Sequence, residues 1–195
     1  MKKGLILIVL LLVAAAGIFY LFSRNSRSFS TSSDIDQLEE QANYNSSLNN
    51  MLTITSVFSN GGQIPDTYGC HGSDVNPPLN FSGVPTGAQS LALIVDDPDA
   101  PSGDWVHWLI FNIDPKIQGI TEDSVPAGAI LGMTSSGKAE YGGPCPPSGT
   151  HHYHFKLYVL DTILDLSASA KKSSLLSAMK GHIISQAELV GTYSQ

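Results

Sequence analysis

Leu91-Ala92-Leu93-Ile94-Val95-Asp96-Asp97-Pro98-Asp99-Ala100-Pro101, followed by Trp105-Val106-His107-Trp108-Leu109-Ile110-Phe111, decides how the rest of the chain is read. Two apolar runs rich in Val, Ile, Leu and aromatic residues have the composition of strands buried in a core. The segment between them is too acidic and too proline-rich to continue either one. Pro98 and Pro101 fix φ near −65° and push Asp97 and Ala100 toward extended conformations. The carboxylates of Asp97 and Asp99 are thereby held on a stiff bend at the end of a core strand. His107 follows a short way into the next strand. An Asp-Pro-Asp turn alone is an ordinary charged hairpin; paired carboxylates beside a strand-borne histidine point to a site.

The chain has 195 residues, enough for one domain with a substantial core. Residues 1–23 stand apart from that domain. Met1-Lys2-Lys3 precedes an uncharged apolar run from Gly4 to Phe22, and Ser23-Arg24-Asn25-Ser26-Arg27 follows it. About twenty apolar residues span a bilayer, so the run is expected to be an uncleaved membrane anchor with the domain outside the cytoplasm. Cleavage and secretion is the alternative. The small residues Ala14-Ala15-Ala16-Gly17 lie inside the run, however, where a signal peptidase site would be badly placed. Residues 24–50 are Ser, Asn, Gln and mixed charges and read as a polar tether, leaving 51–195 as the folded domain.

Charge excludes a class of partner. The net charge is −7, and the domain contains six Lys and no Arg. A nucleic-acid binder displaces counterions with a basic face, which this domain lacks, so nucleic acid is not expected as a partner.

Within the domain, Met51–Phe58 alternates as a first strand, and Leu79-Asn80-Phe81 follows as a short one. The stretch from Ile64 to Pro78 is loop, and that from Asp114 to Ala139 is long enough for a functional loop. His151-His152-Tyr153-His154-Phe155-Lys156-Leu157-Tyr158-Val159 reads as another strand. Alternation puts His151, Tyr153, Phe155, Leu157 and Val159 on the core face, with His152, His154 and Lys156 opposite. Ala170–Met179, stopped by Gly181, has helical composition, and a second short helix is expected over Ile184–Val190. The expected architecture is mainly β, a sandwich with C-terminal helical segments behind an N-terminal transmembrane helix.

Gly142-Gly143-Pro144 allows backbone N–H groups to approach a ligand closely. His107 and His151 can donate hydrogen bonds, and Asp97 can fix a histidine tautomer. Together these make a pocket for a compact anion such as a phosphate ester, with Tyr153 and Trp105 as an apolar rim. A reading of a different class is a hydrolase or metal-dependent enzyme using Asp97, His107 and His151. Against it, no Gly-x-Ser-x-Gly elbow occurs and the histidines lack metal-motif spacing. We expect no catalysis and no cofactor.

Leu-Ile-Val-Asp-Asp-Pro-Asp-Ala-Pro at 93–101, Trp105-Val106-His107-Trp108, and Gly-Gly-Pro-Cys-Pro-Pro-Ser-Gly-Thr-His at 142–151 carry a resemblance. With Gly181-His182, Ala187-Glu188-Leu189 and Gly191-Thr192-Tyr193, the stretch from about Ser56 to Tyr193 resembles the phosphatidylethanolamine-binding protein family. Its bacterial branch is labelled Raf kinase inhibitor-like. The resemblance implies a Greek-key β-sandwich with a small anion cavity at one end. It places Asp97, Asp99, His107, His151 and Tyr153 in the pocket, with Gly142, Gly143 and Pro147 in the lining loop. It sets Cys70 and Cys145 near the pocket mouth, where either a disulfide or two free thiols is chemically allowed. A lipid headgroup and a kinase are the partners the family's name suggests, and inhibition of a kinase or protease through surface loops stays open as a separate protein-interaction role. Two positions depart from the family's usual pattern: His71 replaces an Asp, and His152 replaces an Arg. Strand alternation turns His152 away from His151, so the lost Arg concerns an ion pair rather than a ligand contact.

Overall fold

The computed structural model describes residues 37, 38, 40, 41 and 51–195. Residues 37, 38, 40 and 41 are helical and exposed. The expected anchor at 1–23 and most of the tether lie outside the described residues. Among the described residues no helix is long and apolar enough to cross a membrane.

The long apolar runs form the middle of a six-stranded sheet. In chain order the strands are β1 (Thr53–Thr55), β2 (Gly62–Gln63), β3 (Leu79–Ser82), β4 (Ser90–Asp97), β5 (Trp105–Ile113), β6 (Gly119–Ile120), β7 (Ile130–Leu131), β8 (Thr150–Leu160) and β9 (Ile183–Ser194). One helix, α1 (Lys172–Met179), precedes β9. The large sheet runs β2-β9-β8-β4-β5-β7, and β1-β3-β6 form a smaller one. Within the large sheet, β8 returns after β7 to lie beside β4, which is the Greek-key order. The mainly β sandwich expected from the sequence is present.

Every residue of β4 is buried because both of its faces are covered. Leu91, Leu93 and Val95 pack with Phe155, Leu157 and Val159 of β8 and with Ile54, Leu79 and Phe81 of the small sheet. Ala92 and Ile94 face the other way, beneath Leu175 and Met179 of α1. Burying a side chain of this size stabilises by about 1.5–3 kcal/mol, so the two layers fix the strand's register. Gly181, at φ +85°, takes the left-handed conformation that ends the helix.

Two expectations are corrected. The strand over Met51–Phe58 shrinks to Thr53–Thr55. Continuing its register with β3 would set Val57 and Phe58 against Pro78 and Pro77, which have no N–H to donate. Instead the Ser56 hydroxyl donates to the Pro78 carbonyl at 2.7 Å and the chain leaves the sheet. The second C-terminal helix is absent, since Ile184–Val190 lies within β9 and pairs with β8 from Thr150↔Ser194 to Leu160↔Ile183. Ala, Gln, Glu and Leu favour helix locally, but a full antiparallel ladder overrides so weak a preference. The alternation of Leu189, Gly191 and Tyr193 into the core is the strand signal in that segment. Gly191 is there for space: a Cβ would come within 2.5 Å of the Ile64 side chain.

Candidate functional site

The ends of β4, β5 and β8 meet around a cavity of about 470 Å³. Asp97 closes β4, His107 lies near the start of β5, and His151 and Tyr153 open β8. A β-bulge aims the second of these. Val95 pairs with Trp108 but Asp96 pairs with Val106, so His107 is the extra residue on its strand. Bulges beside sites re-aim a side chain in this way. The spacing of the core residues confirms it, because Trp108 packs between the sheets while Val106 and Leu109 both lie under α1.

Each buried histidine has one ring nitrogen committed. His151 Nδ1 pairs with Asp97 Oδ2 at 2.7 Å, and both side chains are almost fully buried. The other Asp97 oxygen accepts the Asp99 N–H at 2.8 Å, which closes the Asp-Pro-Asp bend. His107 Nδ1 donates to the Gly142 carbonyl at 2.7 Å, and the Gly142 N–H returns a bond to the His107 carbonyl at 2.9 Å. In the neutral rings Nε2 is then a lone pair, and only a protonated ring donates from it. Burial holds the His107 pKa below the ordinary histidine value, against the opposing pull of the Gly142 carbonyl and the Asp97 charge. Tyr153 packs edge-on against the His107 ring at 5.1 Å. Burial and the Asp97 charge raise its phenol pKa, so it stays a hydroxyl.

Asp97, His107, Gly142, Gly143, Pro147, His151 and Tyr153 all line the cavity, and Trp105 lies at its half-exposed rim. Asp99 does not line it. Its carboxylate turns outward to the His152 backbone N–H at 2.9 Å and to His152 Nδ1 at 2.7 Å, and these hydrogen bonds hold its pKa below the usual value. His152 therefore holds Asp99 by hydrogen bonds where the family's usual Arg would stand, on the sheet face away from the cavity. A further correction concerns the glycines. The Gly142 N–H is taken by His107 and the Gly143 N–H by Asp74 Oδ1 at 2.7 Å, so neither amide is free for a ligand. Gly143 is small because a Cβ would meet the Tyr68 carbonyl at 2.3 Å.

Cys70 and Cys145 are bridged, with Cα atoms 5.4 Å apart, and both line the cavity. Asp74, Ser102, Thr134 and Ser136 also contribute to the lining and were not expected there. Only the length of the Asp114–Ala139 loop pointed to Thr134 and Ser136. Asp74 has φ +55°, and nothing in its spacing ties it to Gly143. Among the described residues no Lys or Arg lines the cavity. Neither cavity histidine is hydrogen-bonded to a serine hydroxyl. Among the described residues no group of three or more His, Cys, Asp or Glu is arranged to hold a metal ion.

The sequence model described as "Phosphatidylethanolamine-binding protein" matches residues 54–194, nearly the whole domain. The chain belongs to the phosphatidylethanolamine-binding protein family. A UPF0098 protein of Methanothermobacter thermautotrophicus is 50% identical over 144 residues, covering 71% of this chain and 95% of that protein. One from Pyrococcus abyssi is 47% identical over 154 residues, covering 74% and 86%. Among solved structures, a phosphatidylethanolamine-binding protein homolog from Chlamydia trachomatis is 43% identical with a TM-score of 0.72, covering 75% of this chain and 99% of its own. Escherichia coli YbcL, described as a new member of the mammalian PEBP family, is 31% identical with a TM-score of 0.70, covering 74% and 98%.

Proposed function

We propose that the domain is a non-catalytic receptor for a small phosphate-bearing or other anionic group, bound in the cavity by His107 and His151 in protonated form. One observation carries the reading: two histidines converge on one cavity with Nδ1 committed to protein acceptors, and among the described residues they are its only basic side chains. A bound anion draws a proton onto Nε2 and receives a charge-assisted hydrogen bond from it. Asp97 stabilises the resulting imidazolium from behind. The relatives' family name supplies a candidate ligand, the phosphoethanolamine headgroup. Its ammonium would suit the carboxylate of Asp74, which lines the cavity. The disulfide supports an oxidising compartment, in keeping with a domain displayed outside the cytoplasm.

Titrating phosphoethanolamine and inorganic phosphate into wild type, His151→Ala and His154→Ala tests the reading. His151→Ala is expected to weaken binding by about 1.5–3 kcal/mol, the worth of a charged hydrogen bond. His154→Ala is expected to do little, because its ring bonds Glu188 at 2.8 Å on the outer sheet face. Equal losses in the two variants, or binding to neither probe, would show that the cavity is wrongly assigned.

A further inference from the structure

We propose that the Cys70–Cys145 bridge is a redox-modification site, and that its reduction by a dithiol loosens the cavity wall and releases the anion. The proposal rests on the anion-binding reading above. Both half-cystines are exposed, and both line the cavity. The bridge joins the loop that carries Asp74 to the loop that carries Gly142, Gly143 and Pro147.

Neither loop is held by a strand ladder. The nearest regular structure is a single 3₁₀ turn, Asp66–Tyr68, on one side and the start of β8 at Thr150 on the other. Apart from the bridge, three hydrogen bonds join the loops. The Cys70 N–H donates to the Pro144 carbonyl at 3.0 Å, the Gly143 N–H to Asp74 at 2.7 Å, and the Tyr141 hydroxyl to the Tyr68 carbonyl at 2.9 Å. Cys70 and Asp74 are exposed, so water competes for the first two. The link from loop to ligand is Gly142, whose carbonyl fixes the His107 tautomer. Once the 141–147 loop moves, the His107 ring loses its orienting acceptor, and the anion loses one of its two donors.

The step is ordinary thiol–disulfide exchange. A thiolate of the dithiol attacks one sulfur, the S–S bond breaks and a mixed disulfide forms. The second thiol of the reagent then resolves it. The reagent leaves as a cyclic disulfide, and two electrons and two protons pass to Cys70 and Cys145.

The full chain is titrated with phosphoethanolamine as isolated, after reduction with dithiothreitol, and after reoxidation with glutathione disulfide. Cys70→Ser/Cys145→Ser serves as a permanently open form, and circular dichroism at 15 °C checks that each form is folded. Reduction is expected to weaken binding about tenfold, within the usual range of coupling between two sites, and reoxidation to restore it. Equal affinity in the oxidised, reduced and double-serine forms would overturn the proposal. Amide hydrogen exchange over 66–74 and 141–147 is followed in parallel without ligand. If the oxidised chain binds no phosphate probe, the anion reading fails by itself. Faster exchange in both loops on reduction would then still support a redox-controlled wall, and unchanged exchange would overturn it.

Discussion

Replacing Lys156 and Lys172 together by methionine is expected to cost the domain about 3–5 kcal/mol, the penalty for leaving a buried charge unpaired. Asp96 is the charge in question. Its side chain has no exposure to solvent, yet its neighbours on β4 are core residues. Lys156 from β8 reaches both carboxylate oxygens, at 2.7 and 2.9 Å, and Lys172 from α1 reaches one of them at 2.6 Å. Lys172 also pairs with Asp104 in the β4–β5 connection. Burial pulls the Lys172 pKa down, but its hydrogen bonds to Asp104 and Asp96 outweigh this and leave it above the ordinary value. Each single replacement leaves Asp96 one ammonium, so the two single losses should sum to well under the double one. Urea unfolding of the four proteins measures this. A double variant within about 1 kcal/mol of wild type would mean that water reaches the carboxylate and that the pair is not structural.

Breaking the Cys70–Cys145 bridge is the second large effect expected. The bridge closes a loop with a sequence separation of 75. In the chain-entropy account, constraining the unfolded chain to that extent stabilises the fold by about 4 kcal/mol. For a domain of this size the reduced form should melt roughly 10–15 °C lower. Thiol counting in denaturant without reductant should find no reactive thiols, and Cys70→Ser/Cys145→Ser should reproduce the lower Tm without reductant. Two reactive thiols per chain, or a Tm unchanged by dithiothreitol, would contradict this.

The central strands were legible because β4, β5 and β8 are long, apolar and bounded by Pro and Gly, so composition and period agreed. Asp97, His107, His151 and Tyr153 were legible as a group because their motifs fall at the ends of those strands. β9 was misread in part because Ala187, Glu188 and Leu189 carry helix propensity, while their pairing partners lie some thirty residues upstream in β8. Local preference contains no term for that ladder. The bulge at His107 was equally hidden: alternation along β5 is broken by a pairing slip with β4, which only the partner strand defines. The glycine loop misled for a related reason. Gly143 does permit close approach, but of the Tyr68 carbonyl and the Asp74 carboxylate rather than of a ligand, because both arrive there from a loop seventy residues away. Asp99 shares the motif with Asp97, and alternation would put both on one face, but β4 ends at Asp97 and the turn through Pro98 carries the Asp99 carboxylate to His152 instead.

Proton linkage of phosphoethanolamine binding reads out whether a cavity histidine takes up a proton with the anion. Free His107 has its pKa lowered by burial, so near neutral pH that ring carries no proton on Nε2. An anion that needs Nε2–H must bring the proton with it, and the ligand therefore raises the histidine pKa on binding. Affinity is therefore highest where His107 protonates readily and falls as pH rises through and above the ordinary histidine value of about 6.5. Calorimetry at pH 6, 7 and 8, in buffers of different ionisation enthalpy, reads both affinity and protons exchanged. Net proton uptake at pH 7 and an affinity that drops steadily from pH 6 to 8 are expected, with both effects reduced in His107→Ala. Binding without proton uptake and independent of pH across that range would contradict it.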